Sequence, residues 1–226
     1  MRKEEPPPRG RFITFEGGEG TGKSTQIRHA ADYVRAQNIP VKLLREPGGT
    51  PEGEAIRNLW KNPPAGRSWE SLAEAFLLFA SRRMLWCREI QPSLEQGVWV
   101  LCDRFYDSTL VYQGVLGGAD IKKLMEMKML ALEEQEPDLT LLFDMSPRTA
   151  LKRITKRAPI CQDFILRYDN MEMKKHEHIR AGYLRLAEIF AYRFRVVKAQ
   201  SPEPLVKEAV CALLETQIRE CGLFPR

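Results

Sequence analysis

The chain of 226 residues is 43% hydrophobic and 29% charged, with a formal net charge of +5 at neutral pH. This length and balance predict a single globular domain with its own core and exclude a disordered or low-complexity chain. Lys and Arg are scattered without a basic run laced with aromatic residues, and no apolar run is long enough to cross a bilayer, so neither nucleic acid nor membrane is expected as a partner.

The N-terminal segment, residues 1–10, is charged and contains three consecutive prolines. It lacks the apolar stretch of a secretory signal, so we expect a flexible tail followed by one domain over residues 11–226. The five cysteines are odd in number and lack metal-site spacing, which indicates free thiols. Such thiols are typical of a reducing compartment, and the expected location is therefore the cytoplasm.

Short β-prone runs alternate with periodic helical segments along the chain. The predicted strands are Arg11–Glu16, Val41–Leu44, Val98–Cys102, Leu139–Phe143 and Phe194–Val197. The predicted helices are Gln26–Ala36, Ser71–Gln91, Ile121–Glu134, Pro147–Lys156, Asn170–Phe190 and Pro204–Cys221. This alternation predicts an α/β fold of three layers, a five-stranded parallel sheet flanked by helices. The segment Ala158–Tyr168 has no period and predicts a small lid over about residues 154–169.

The strongest motif, GGEGTGKS, lies between the first predicted strand and the first predicted helix. It satisfies G-x-x-x-x-G-K-[ST], and its position is the context that a phosphate-binding loop requires. The glycines let backbone N–H groups point at phosphate oxygens, next to a positive helix N-terminus. Lys23 is expected to bind the β- and γ-phosphates of ATP, and Ser24 to bind Mg²⁺. The expected ATP-binding residues are Gly17, Gly18, Glu19, Gly20, Thr21, Gly22, Lys23, Ser24 and Thr25.

Charged residues end two of the predicted strands, with Arg45 after the second strand and Asp103 and Arg104 after the third. Ligands of open α/β sheets collect at this carboxyl edge. Asp103 taken alone would more often be a turn or cap residue, but beside a P-loop it is expected to complete the Mg²⁺ shell. Arg45 and Arg104 are expected to bind a second anion, a monophosphate, through the guanidinium fork. For Arg45 the alternative is a surface ion pair.

Several stretches together resemble the thymidylate kinase family, of the bacterial type with an acidic P-loop. They are Phe15–Thr25, Arg45–Pro51, Leu77–Ala80, Asp103–Phe105, Tyr112–Gly114 and Pro137–Thr140. The resemblance covers nearly the whole chain, from Arg11 to the C-terminal helix. It implies a P-loop NTPase fold and transfer of the γ-phosphoryl group of ATP to dTMP, giving dTDP and ADP. It also implies a homodimer packed through helices that include Ser71–Gln91.

The resemblance further implies roles in a dTMP pocket. Phe79 would stack on thymine, although its helical spacing with Phe76 alone favours a core position. Arg83 would bond the carbonyl edge of the base, and Arg104 would bind the acceptor phosphate. Tyr112 would lie against the deoxyribose, where a 2′-hydroxyl would clash. The remaining implied dTMP contacts are Glu19, Arg45, Pro47, Thr109 and Gln113.

The chain departs from the family pattern at Arg82, where relatives usually carry Asp or Asn, and in a lid that is longer and poorer in arginine. The P-loop carries Glu19, Gly20 and Thr21 where some relatives place an arginine, so a lid arginine is expected to neutralise the transferred phosphoryl group. Arg157 is the first catalytic candidate and Arg153, one helical turn earlier, is the second. Arg167 is the third, because it fits the family's Arg-x-acid pattern.

Two other functions share parts of this pattern. A kinase for another nucleoside monophosphate would have the same P-loop but should lack the pocket of Phe79, Arg83 and Tyr112. A nucleotide-dependent switch would use the P-loop to order a partner-binding surface. The N-K-x-D-type motif of guanine-specific switches is absent from the sequence.

Overall fold

The computed structural model describes residues 8–64, 67–157 and 172–221. Its strands are β1 (Phe12–Glu16), β2 (Val41–Arg45), β3 (Trp99–Asp103), β4 (Leu139–Asp144) and β5 (Phe194–Lys198). They form one sheet in the order β2-β3-β1-β4-β5, and every neighbouring pair is parallel. The predicted five-stranded parallel α/β architecture is confirmed. Each observed strand lies within one residue of its predicted bounds.

The helices are α1 (Lys23–Ala36), α2 (Pro51–Lys61), α3 (Ser71–Leu85), α4 (Gln91–Glu95), α5 (Tyr106–Thr109), α6 (Ile121–Leu132), α7 (Pro147–Arg157), α8 (Met173–Ile189) and α9 (Glu203–Glu220). A π-helical segment, Trp86–Ile90, joins α3 to α4, and another, Leu110–Leu116, extends α5. The predicted helix Ser71–Gln91 is therefore part of a longer helical run. Residues 158–169 of the predicted lid lie outside the described ranges, and residues 154–157 belong to α7.

Two helical segments were not predicted. In α2 only Gly53 and Trp60 are buried, so the helix carries little apolar periodicity. Its N-terminal signal is clear in the structure, because Thr50 Oγ1 accepts the Gly53 N–H at 3.0 Å. In the segment from Tyr106 to Leu116 most residues are buried, and a glycine lies near its end. The segment therefore has no alternation of apolar and polar faces from which a helix could be predicted.

The sheet separates two apolar layers because alternate residues of β1 face opposite sides. Phe12 packs with residues of α3, α6 and α8, whereas Ile13 and Phe15 pack with residues of α1 and α9. This three-layer packing leaves the carboxyl edge of the sheet for ligands. Of the predicted tail, residues 1–7 lie outside the described ranges, while the Gly10 N–H donates to Leu94 O at 2.8 Å. Across residues 8–64, 67–157 and 172–221, no helix combines the length and apolarity needed to span a membrane.

Candidate active site

The loop that connects β1 to α1 has the tightly curved, glycine-dependent backbone that a phosphate-binding loop requires. Gly17 and Gly20 have φ angles of 133° and 72°, a region that side chains rarely tolerate. A Cβ on Gly17 would lie 2.6 Å from Phe143 O, and one on Gly20 would lie 2.6 Å from Ala150 O. Only glycine fits at both positions, and the loop ends at Gly22, which caps α1.

Lys23 is folded back into this loop. Its Nζ donates to Gly17 O at 2.9 Å and to Gly18 O at 2.8 Å. Burial, followed by the neighbouring charge of Arg104, lowers the pKa of the Lys23 ammonium. An ammonium has three N–H groups, so a cation held by these two carbonyls retains a donor for a phosphate oxygen.

A hydroxyl and a carboxylate meet beside the loop. Ser24 Oγ donates to Asp103 Oδ2 at 3.2 Å. Both are hard oxygen ligands of the kind that Mg²⁺ prefers, and they would hold that ion beside the P-loop. The donor chemistry of these two residues therefore fits the expected metal.

Arg104 is the centre of the site. Its Nη1 donates to Gly17 O at 3.2 Å, Tyr183 OH at 3.0 Å and Ser108 Oγ at 3.1 Å. Its Nη2 forms an ion pair with Glu19 and reaches Tyr112 OH at 3.4 Å, while the Tyr112 ring lies 5.2 Å from the guanidinium carbon. The structure thus brings together three residues that the sequence assigned to dTMP or ATP, namely Arg104, Glu19 and Tyr112.

The charges in this cluster support one another. Burial opposes the charge on Arg104, but Glu19 and the nearby tyrosine hydroxyls outweigh it and raise the pKa of Arg104 well above its ordinary value. Burial likewise opposes the charge on Glu19, but Arg104 and Lys23 outweigh it and lower the pKa of that carboxyl. Both residues are therefore charged at neutral pH.

A second arginine group lies beside Arg104. Arg45 Nη2 bonds Glu54 Oε1 at 2.9 Å, and its Nη1 reaches Pro47 O at 3.4 Å. Arg57 of α2, which was not predicted, donates to the same Pro47 carbonyl at 2.8 Å. Burial, then the charge of Arg45 and, more weakly, that of Arg104, lower the pKa of Arg57. The alternative given by the sequence for Arg45, a surface ion pair, is present with Glu54, and Arg45 also lies near Arg57.

Arg82 of α3 lies beside Phe79, which the sequence assigned to the base pocket. Its guanidinium carbon lies 4.8 Å from the centre of the Phe79 ring. Its Nε donates to Glu46 Oε2 at 2.6 Å, and its Nη2 donates to Thr109 Oγ1 at 3.2 Å. Its Nη1 is buried and has no hydrogen-bond partner among the described residues, which leaves an unused donor beside Phe79 and Thr109.

The structure does not bring Arg83 to this pocket. Its Nη1 donates to Ala131 O at 2.9 Å, near Glu133, on the side of α3 that faces α6. Arg82 is 3% exposed whereas Arg83 is exposed, so the two side chains lie in different surroundings. Phe79 is 4% exposed and belongs to the core, whereas Phe76 is 60% exposed; a core position is therefore right for Phe79 alone.

Of the lid arginines, only Arg153 has a described side chain. Its Nη1 donates to Ala199 O at 3.3 Å. The same nitrogen lies 4.0 Å from the position that a Cβ atom on Gly22 would occupy. Arg153 therefore faces the P-loop. Arg157 ends α7, and Arg167 lies outside the described residues. Gln113 is buried in the segment that follows α5.

The comparisons with known proteins agree with this geometry. The family model described as Thymidylate kinase matches residues 15–210. The thymidylate kinase of Syntrophus aciditrophicus (strain SB) is 42% identical over 218 residues, which cover 94% of this chain and 98% of the relative. That of Chromohalobacter salexigens is 38% identical, covering 92% of this chain and 97% of the relative.

A solved structure gives the same result. The crystal structure of thymidylate kinase from Ehrlichia chaffeensis matches with a TM-score of 0.73 at 31% identity, covering 92% of this chain and 99% of that one. Fold and sequence similarity therefore extend over almost the full length of both proteins. The chain belongs to the thymidylate kinase family and has its P-loop NTPase fold.

Proposed function

We propose that this protein transfers the γ-phosphoryl group of ATP to dTMP, giving dTDP and ADP. The observation that carries the proposal is the position of Arg104, which contacts the P-loop at Gly17 O and the acceptor-side groups Glu19 and Tyr112. These contacts support a role for this one guanidinium between a donor phosphate and an acceptor phosphate. Such kinases act mainly by positioning and by electrostatic stabilisation, which these residues supply.

On the donor side, the P-loop N–H groups and Lys23 would hold the β- and γ-phosphates. Ser24 and Asp103 would hold Mg²⁺, which supplies charge neutralisation at the phosphates when bound. Arg153 approaches the P-loop from α7, so we assign it to the transferred phosphoryl group, with Arg157 and Arg167 as the other lid candidates. A fall in kcat without a change in the KM for ATP in an Arg153→Met variant would support this assignment.

On the acceptor side, Arg45, Arg57 and Arg104 would surround the monophosphate, because their charges already influence one another. A guanidinium fork binds a phosphate through two parallel hydrogen bonds. Glu54 holds Arg45 in place and also accepts the Gly49 N–H at 2.8 Å. The loop that contains Pro47 would therefore be rigid before dTMP binds.

At the base, the unused Nη1 donor of Arg82 is the group that fits a thymine carbonyl. It is buried beside Phe79 and Thr109, so a ligand acceptor would satisfy a group that now lacks a partner. Burial raises the pKa of Glu46, the partner of Arg82, to about 7. That carboxyl can therefore take up a proton if Arg82 is removed.

An Arg82→Met variant is expected to raise the KM for dTMP by about 30-fold, since hydrogen bonds from charged donors contribute about 1.5–3 kcal/mol. The KM for ATP should stay within about twofold, because Arg82 touches no P-loop residue. The matched control is Arg83→Met, on the same helix, which should keep both KM values. A larger effect in Arg83→Met than in Arg82→Met would return the base-reading role to Arg83.

The function itself is tested by ADP release with dTMP, dUMP, UMP, CMP and AMP as acceptors. We expect dTMP to be the preferred acceptor, and UMP to react much more slowly than dUMP because Tyr112 would fill the space of a 2′-hydroxyl. Preference for CMP or AMP would instead indicate another nucleoside monophosphate kinase. ATP binding without acceptor-dependent turnover would favour a nucleotide-dependent switch.

A homodimer is proposed from the exposed face of α3. Ala73, Phe76, Ala80 and Arg83 are exposed along one side of that helix, and Arg83 connects it to α6, where Leu130 is 84% exposed. An apolar face of this kind is typical of a protein interface. Sedimentation should give about twice the chain mass of 26.0 kDa, and a monomer in solution would contradict the proposal.

A further inference from the structure

The backbone of Arg104 is held in an uncommon conformation. It is not a glycine, yet its φ is 73°, and such backbone strain persists only where the surroundings fix it. Two bonds from β1 do so. The Arg104 N–H donates to Phe15 O at 3.0 Å, and the Phe105 N–H donates to Glu16 Oε1 at 2.7 Å. The Glu16 carboxylate thus fixes the peptide that follows Arg104.

The second oxygen of Glu16 acts on the Arg104 side chain through two hydroxyls. Glu16 Oε2 accepts from Ser108 Oγ at 2.7 Å and from Tyr183 OH at 3.0 Å. Arg104 Nη1 donates to these same two oxygens. A hydroxyl has one hydrogen and two lone pairs. Each hydroxyl can therefore donate to Glu16 while it accepts from Arg104.

Glu16 is fully buried, and both of its carboxylate oxygens accept hydrogen bonds from protein groups. Burial, reinforced by the charge of Asp107, raises the pKa of this carboxyl to about 7, while Arg104 opposes the shift. Burying a carboxylate costs free energy that hydrogen bonds must offset. Glu16 Oε1 accepts from the peptide N–H that follows Arg104. Glu16 Oε2 accepts from two hydroxyls that also accept from the Arg104 side chain.

We propose that Glu16 and Tyr183 are positioning residues for phosphoryl transfer, which hold the backbone and the guanidinium of Arg104 in the orientation that faces the acceptor phosphate. The proposal rests on the proposed function only through the role of Arg104 as a phosphate ligand. Tyr183 lies on α8, so the acceptor arginine is anchored from β1 and from a helix that follows the lid in the sequence.

The first test replaces Glu16 with Gln, which keeps the shape but puts a donor where an acceptor is needed. The Glu16→Gln variant should show a KM for dTMP raised about 30-fold, as expected for hydrogen bonds to a charged group, with the KM for ATP within about twofold. The control is Glu74→Gln, a carboxylate of α3 that is 4% exposed and accepts from Trp60 Nε1. It should leave both KM values unchanged.

The second test removes one hydroxyl. Tyr183→Phe should raise the KM for dTMP by about tenfold. Tyr106→Phe is its control, because that buried hydroxyl bonds Arg193 and Glu136 and makes no contact with Arg104. In the double variant of Glu16→Gln and Tyr183→Phe the two effects should not multiply, since both act through Arg104.

A Glu16→Gln variant that melts at a lower temperature but keeps the parent KM for dTMP would overturn the proposal and leave Glu16 a purely structural role. If that variant does not fold, the comparison of Tyr183→Phe with Tyr106→Phe tests the proposal. Equal KM values for dTMP in these two variants would also overturn it. If the parent enzyme does not phosphorylate dTMP, only the proposed function is wrong. The same comparison would then be made with the monophosphate that it accepts, because Arg104 is assigned to the phosphate and not to the base.

Discussion

Replacing Lys23 with Ala is expected to lower kcat for dTMP phosphorylation by about 10³-fold or more. The Nζ of Lys23 donates to the carbonyls of Gly17 and Gly18 within the P-loop. Its charge is therefore placed for phosphate and not for the core. The measurement is steady-state ADP release with saturating ATP and dTMP.

The Lys23→Ala variant should remain folded. Gly17 O still accepts from Arg104 Nη1 in its absence, and the change removes a charge that burial disfavours. Lys42→Ala is a suitable control, because Lys42 lies on β2 and pairs with Glu89 outside the P-loop. A Lys23→Ala enzyme within tenfold of the parent, with Lys42→Ala unaffected, would refute the P-loop assignment.

The sheet could be predicted from the sequence because its strands are short β-prone runs bounded by turn signals. Such runs are the pattern that parallel strands covered on both faces produce. The P-loop and the Ser24–Asp103 pair could also be predicted, since both depend on residues at strand ends. The alternation of strands and helices fixes where those ends lie. The site residues that follow strands were therefore placed correctly at one edge.

The surroundings of Arg82 and Arg83 could not be predicted in the same way, because they depend on the rotation of α3. The sequence gives the spacing of Phe79, Arg82 and Arg83, but neighbouring helices decide which side faces the sheet edge. The rotation observed in the structure buries Phe79 and Arg82 and exposes Phe76 and Arg83. Arg57 was missed for a related reason, since α2 has too few buried residues to show a helical period.

Contacts between distant segments were also beyond the sequence. The ion pair of Arg193 with Asp107 is fully buried, and it connects the start of β5 to α5. Nothing in the local pattern around either residue indicates its partner. The same holds for Tyr183, whose hydroxyl reaches Glu16 from another layer of the fold. Such pairs form only after the helices pack on the sheet.

Replacing Arg104 with Ala is expected to raise the KM for dTMP by about 10²-fold, while the KM for ATP changes by less than about threefold. The two KM values should respond differently because separate groups are assigned to ATP and to dTMP. Lys23 and the loop N–H groups remain for ATP, whereas the acceptor loses the guanidinium that sits beside Glu19, Tyr112 and Gly17. Initial rates measured over a grid of both substrate concentrations give the two KM values separately.

An Arg104→Lys variant separates charge from geometry in the same measurement. Lysine keeps a positive charge beside Glu19 but lacks the fork that binds a phosphate through two parallel bonds. Its KM for dTMP should therefore fall between those of the parent and of Arg104→Ala, and closer to the latter if the fork dominates. Removing Arg104 also leaves Glu19 with Lys23 as its main cationic neighbour, so circular dichroism at the assay temperature must first establish that both variants are folded. Equal increases in the KM for ATP and for dTMP would show that Arg104 serves the whole site, and the assignment of Arg104 to the acceptor phosphate would then be wrong.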